Sequence, residues 1–204
     1  MENREVISLF EKFVPMAAAP YCAKLYDHFG FELQIKKARK TKLGDYRFDH
    51  KDKKHTITIN NDLNPFAFLI TYLHEVAHLV TFQEHGRKVN PHGTEWKSNF
   101  KRVAKPVLSR EVFPENVLHS LSAYLKNPKA ASCSDPILYQ VLKQFDKDDN
   151  TIFLKALRPG DRFTFHEKHY KYISKRRTRM VCEEISSGKK YLINQLAEVR
   201  KVTD

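Results

Sequence analysis

The sequence predicts an α+β protein, in which helices and a small antiparallel sheet surround one long central helix and a small β-rich C-terminal module follows. Three observations predict it. Residues 65–82 form an apolar helical run that contains His74-Glu75-Val76-Ala77-His78. Short alternating segments precede that run, and beyond residue 150 strand-like segments separated by turns replace helical periodicity.

The elements follow in order. Glu2 to Val14 places Val6, Leu9, Phe10 and Phe13 at helical spacing, and Ala17 to Phe29 continues with Leu25, Tyr26 and Phe29 after a break at Pro15. Two helices are expected. Phe31, Leu33 and Ile35 alternate with polar residues, Asp45 to Phe48 follows a turn at Gly44, and His55 to Asn60 alternates isoleucine with threonine. These predict a three-stranded antiparallel sheet. Asn64 and Pro65 then supply an N-cap and a first-turn proline. Leu69, Tyr72, Leu73, Val76 and Val80 fall in one sector of the helix that follows, with His74 and His78 directed away from it. Pro91-His92-Gly93 reads as a loop that presents an imidazole at the start of the next helix. There Trp96, Phe100 and Val103 recur at helical spacing, which makes Trp96 a packing anchor.

Residues 127–150 hold Pro128, Pro136 and the polar run 146–150, with one apolar stretch, Ile137 to Phe145, suited to a short helix. This segment is expected to link a domain at 1–126 to a module at 151–204. In the module, Asp161–Phe165, His169–Ile173, Thr178–Ile185, Lys190–Ile193 and Glu198–Val202 read as short strands of a small barrel or curled sheet.

Charge sharpens the division. The chain of 204 residues carries a formal +12, and residues 151–204 hold 13 Lys or Arg against 6 Asp or Glu. Lys175, Arg176, Arg177 and Arg179 cluster at a strand connection, which suggests a grip on a phosphate backbone without sequence preference, with Tyr170 and Tyr172 near for base stacking. A solvated basic hairpin is the plain alternative.

The central helix carries the chemistry. Residues four apart on a helix share a face, so His74 and His78 can point at one ion, and Glu75 on the flank can take a proton from water acidified by that ion. Residue frequencies give roughly a three per cent chance of meeting such a motif in this chain, so its surroundings must carry the argument. A hydrolytic zinc site uses three protein ligands and keeps one position open. His85 and His92 are the candidates for the third. His85 lies seven residues beyond His78, about 10 Å along a continued helix. His92 sits in the loop. The metzincin spacing fails, because Thr81 and Glu84 stand where Gly and His would be required. Glu95, Glu84 and Asp62 are candidates to receive a hydrogen bond from the histidines' second ring nitrogens.

His74 to His78, together with His92-Gly93-Thr94-Glu95-Trp96, resembles the SprT-like family, the zinc-peptidase-like group of bacterial and Spartan-related proteins. Thr41-Lys42-Leu43-Gly44-Asp45-Tyr46 and Ile57-Thr58-Ile59-Asn60 are similar to that family's hairpin before the active-site helix. The resemblance covers roughly residues 1–125. It implies a zincin-like domain with His74, His78 and His92 as ligands of one zinc ion, Glu75 as catalytic base, and His85 as a bystander. It further implies peptide-bond hydrolysis, with DNA-associated proteins as a substrate class. In zincin-like peptidases a sheet edge near the metal binds extended substrate, so Thr56, Thr58 and Asn60 are expected to border the groove. Relatives with a C-terminal zinc ribbon differ from this chain, whose Cys22, Cys133 and Cys182 are scattered singly and cannot form a C-x-x-C knuckle.

The expectation is therefore a zinc-dependent metalloprotease acting on protein or peptide, with non-sequence-specific DNA as a further partner. A non-catalytic, zinc-stabilised nucleic-acid-binding protein is the rival, and a hydrolase of another bond is the third reading. The single cysteines fit a reducing cytoplasm. Residues 2–12 lack the positive start and apolar core of an export signal. The 65–82 run is apolar enough to suggest a membrane span, but His74, Glu75 and His78 at its middle argue against one.

Overall fold

A computed structural model describes residues 3–39, 41–129, 135–147 and 150–202. The chain divides into two compact units, Met1–Asp146 and Lys147–Asp204. In the first, α1 (Asn3–Glu11) and α2 (Ala19–Phe29) lead into β1 (Glu32–Lys36), β2 (Gly44–Asp49) and β3 (Lys54–Asn60), then α3 (Pro65–His85), α4 (Thr94–Ala104), α5 (Glu115–Lys126) and α6 (Pro136–Lys143). In the second, β4 (Ile152–Phe153), β5 (Arg162–Phe165), β6 (Lys168–Arg176), β7 (Arg179–Glu184), β8 (Lys190–Asn194) and β9 (Glu198–Lys201) form a single sheet. The protein is α+β, with a small mixed sheet and a larger antiparallel one.

The small sheet is not antiparallel throughout, as the sequence led us to expect. Its order is β1-β3-β2, with β1 parallel to β3 and β2 antiparallel to it. The cause is burial. Ile57 and Ile59 on β3 have no exposed surface, so β3 takes the central position where both edges are paired. β1 and β2 therefore lie at opposite edges.

α3 begins where Asn64 and Pro65 predict. The Asn64 side chain accepts from the N–H groups of Phe66 and Ala67, satisfying two of the helix's unpaired donors. Its amide donates to Leu142 O at 2.9 Å and to Asp146 Oδ1 at 2.6 Å. The end of α6 therefore holds the start of the histidine-bearing helix. Leu138 and Leu142 of α6 join the core of the first unit, so the segment expected as a linker contributes a packed helix. α3 is buried on nearly all sides, Thr71, His74 and Glu75 included, and not along one sector only. Its most apolar window is long enough to cross a membrane but is 78% buried within the fold. Tyr72 anchors it by donating to Cys22 O at 2.8 Å.

The larger sheet has the order β4-β9-β5-β6-β7-β8. Among the described residues no pairing closes β8 onto β4, so it is a curled sheet and not a closed barrel. The two-residue β4 was not foreseen. Leu154, Phe163, Met180, Cys182 and Ile193 form the core with Tyr170 and Tyr172. These two tyrosines are 6% and 5% exposed, so they are packing residues and not a stacking surface for bases. Their i, i+2 spacing puts both on the inner face of β6. Cys22 and Cys182 are free and buried; Cys133 lies outside the described residues.

Candidate metal centre

His74 and His78 stand one turn apart on α3, and His92 reaches them from the loop before α4. The three Nε2 atoms approach one another at 3.2, 2.9 and 3.4 Å. Ligands 2.0–2.1 Å from a shared tetrahedral centre stand about 3.3 Å apart, so this triangle has the dimensions of three corners of a zinc site. The group can hold a metal ion.

Local structure fixes the third corner. His92 adopts φ 59°, a left-handed conformation that is uncommon outside glycine. Gly93 follows, with its N–H bonded to Asn90 O at 2.9 Å, and a Cβ on it would lie 2.9 Å from that oxygen. The turn thus needs glycine at 93 for close backbone approach. Trp96, one turn into α4, is 1% exposed, and its ring centroid lies 4.7 Å from His74, 5.3 Å from His78 and 4.7 Å from His92. The expected packing anchor is the floor on which all three imidazoles rest.

Burial sets the protonation. It pushes the His74 imidazolium down to about 2, with His78 and His92 adding to the shift. It holds His78 at about 3, again with a contribution from His92 and against the opposing pull of Asp45, and it lowers His92 as well. At neutral pH the imidazoles are uncharged, and their Nε2 lone pairs are available to a cation.

Glu75 is 5% exposed. Its carboxyl is pushed up to about 8, first by burial and then by the charge of Asp45, while the Tyr46 N–H, Arg39 and Lys42 act in the other direction. Strand β2 holds it in place. A Cβ on Gly44 would come within 2.7 Å of both Glu75 Oε1 and Thr71 Cγ2, so the strand passes this closely only with glycine there. Sequence reasoning took Gly44 for a turn and missed that the strand it opens passes directly against Glu75. The Thr41-to-Tyr46 stretch was the available signal.

Several expected neighbours lie elsewhere. His85 is partly exposed, with Nε2 3.7 Å from Glu84, and is not in the imidazole cluster. Glu84 accepts from Asn99 at 2.8 Å and pairs with Arg102, and neither Glu95 nor Asp62 bonds a histidine among the described residues. His74 Nδ1 is buried without a hydrogen-bond partner among the described residues. Thr56, Thr58 and Asn60 belong to the central strand and border no open edge; Arg39 donates to Asn60 Oδ1 at 2.7 Å and to Thr58 Oγ1 at 3.0 Å. Lys175, Arg176, Arg177 and Arg179 are brought together at the β6–β7 hairpin, all exposed.

A buried helix with two histidines and a glutamate, completed by a loop histidine, defines a domain with one candidate metal site. The SprT-like family model matches residues 11–119, more than half of the chain, and the chain belongs to the SprT-like family. It is similar to Protein SprT of Vibrio parahaemolyticus serotype O3:K6 (strain RIMD 2210633), with 54% identity over 41 residues. That match covers 20% of this chain and 24% of the relative, about a quarter of its length. No solved structure matches.

Proposed function

We propose that the protein is a zinc-dependent metallopeptidase with a zincin-like catalytic domain. The observation that carries this reading is the convergence of three neutral imidazole nitrogens within 3.4 Å of one another, beside the buried carboxyl of Glu75. His74, His78 and His92 would hold the ion. A zinc ion bound there supplies Lewis acidity and positive charge, which acidify water, polarise a carbonyl and favour the ionised form of Glu75. Glu75 accepts the proton of the attacking water as the oxygen–carbon bond forms, and returns it to the amide nitrogen as the carbon–nitrogen bond breaks. The tight passage of β2 at Gly44 orients that carboxylate. Trp96 keeps the imidazoles in register and excludes water from beneath them.

DNA-associated proteins are the substrate class we infer, supported by the basic hairpin. In the β6–β7 register Arg176 stands directly opposite Arg179, an arrangement that is repulsive unless an anion lies across it. None of the four hairpin cations has an ion-pair partner among the described residues. The same hairpin favours a second reading, a zinc-stabilised nucleic-acid-binding protein without catalysis. Glu75→Gln separates the two: zinc and fold are retained in both, whereas hydrolysis of a denatured protein substrate falls by roughly 10²–10⁴-fold only for a peptidase. Equal hydrolysis by wild type and variant would overturn the catalytic role of Glu75.

A further inference from the structure

Strand β2 is an edge strand, and its hydrogen bonding shows which of its groups are free. Asn60 N–H bonds Leu43 O at 2.9 Å, so residues 43, 45 and 47 direct their backbone groups to β3. Gly44, Tyr46 and Phe48 direct theirs to the open edge. A Cβ on Gly44 would lie 2.7 Å from Glu75 Oε1, which places that carboxylate directly against the same strand. An extended chain lying along β2 beyond Tyr46 meets the backbone of Phe48 next.

The two faces of this strand differ. Asp45, Arg47 and Asp49 lie on the charged outer side with Thr56 and Thr58. Tyr46 and Phe48 turn towards α3, where Phe82 stands one turn after His78. Ring centroids separate Phe48 from Phe82 by 4.6 Å, Phe48 from His55 by 4.8 Å and Tyr46 from Phe82 by 6.2 Å. Tyr46 Oη meets His55 Nδ1 at 2.8 Å, which ties up the tyrosine hydroxyl and one imidazole nitrogen. Phe48 and Phe82 are only partly buried and stand apart from the main core. This is an aromatic surface attached to the metal centre by two routes, through α3 from His78 and through β2 from Glu75.

We propose that Tyr46, Phe48, His55 and Phe82 form a specificity subsite that receives a large apolar side chain of an extended peptide lying on the open edge of β2. The inference rests on the peptidase reading. Side chains of such a peptide alternate between this aromatic surface and the charged row of Asp45, Arg47 and Asp49. The selected substrate is therefore an unfolded segment in which an apolar residue recurs at every second position near the cleaved bond, between polar ones.

The test uses fluorescein-labelled ten-residue peptides with Phe, Ser or Lys at alternate positions and Thr elsewhere. Binding is measured by anisotropy on the zinc-loaded Glu75→Gln protein, and cleavage is measured separately on the zinc-loaded wild type. Burial of the aromatic side chains predicts roughly tenfold or greater preference for the Phe peptide over the Ser peptide. Phe82→Ser in the same background should erase that preference. Phe48→Glu, a change on a part-exposed edge strand, should move it to the Lys peptide, with zinc content confirming that each variant is folded. No binding, equal binding of the three peptides, or a preference that both variants leave unmoved overturns the subsite. Selective binding without cleavage by the wild type keeps the subsite and overturns the peptidase reading instead.

Discussion

The imidazoles of the first unit and the basic hairpin side chains of the second are nitrogen bases in opposite surroundings. His74 is 3% exposed and rests with His78 and His92 on Trp96, all three with depressed basicity, whereas Lys175, Arg176, Arg177 and Arg179 project from a hairpin into solvent. Desolvation makes the first set neutral and specific for a cation at short range. Solvation leaves the second set charged and able to attract any polyanion, with little discrimination. The difference teaches that position to within tenths of an ångström matters in one cluster and only charge density in the other, so substitutions should act very differently on the two.

The largest effect is expected at His92. His92→Ala should reduce zinc from about one per chain to near zero by elemental analysis, because two histidines from one helix leave the ion with half of a tetrahedral shell. His85→Ala should leave the content unchanged; loss there with retention in His92→Ala would reassign the site.

Next comes the contact behind Glu75. Gly44→Ala places a methyl group against Glu75 and Thr71, and overpacking of this kind costs about 1–3 kcal/mol. A lowered thermal midpoint with hydrolysis reduced more than zinc content is the expected pattern. An unchanged midpoint would mean that β2 is not held as closely as the geometry requires.

The pH response tests the burial of the first cluster directly. Without a metal ion, burial pushes His74 down to about 2 and His78 to about 3 and lowers His92 as well, against about 6.5 for histidine in the unfolded chain. Below about 6.5 the unfolded chain binds more protons at these sites, so their contribution to stability is complete above that pH and is lost as pH falls through the window down to the folded values. Glu75, raised to about 8 against about 4.3 unfolded, works in the opposite sense, favouring the fold below about 4.3 and losing that contribution as pH rises to 8. Three histidines outweigh one glutamate on the acid side. Thermal midpoints of the metal-free protein should therefore peak near pH 6.5, and a midpoint rising steadily down to pH 4 would contradict the burial of the imidazoles.

The smallest effect belongs to the hairpin. Arg176→Ala with Arg177→Ala should lower affinity for double-stranded DNA uniformly across sequences and reduce the salt slope by about one unit per phosphate contact removed. A slope unchanged between about 50 and 200 mM salt would place any DNA contact elsewhere.

How much of this was legible in the sequence follows the range of each interaction. The cap at Asn64, the His74–His78 pair and the packing role of Trp96 are local, and spacing along the chain revealed them. The position of β3 between β1 and β2 is not local. It depends on how completely Ile57 and Ile59 are buried, which alternation alone does not measure. Tyr170 and Tyr172 could have been read as core from their shared face, but the neighbouring arginines drew attention to charge. Gly44 was visible as a turn, whereas its contact with Glu75 joins residues 31 positions apart and emerges only once β2 is docked on α3.

Trp96 is the sole tryptophan of the chain, so every photon of indole fluorescence originates within van der Waals reach of the three histidines. Filling or emptying the centre, or protonating its imidazoles, changes the electrostatic field at that ring. The protein thus offers its own optical test of whether this cluster takes up a metal ion, readable in a cuvette without label, chelating dye or substrate.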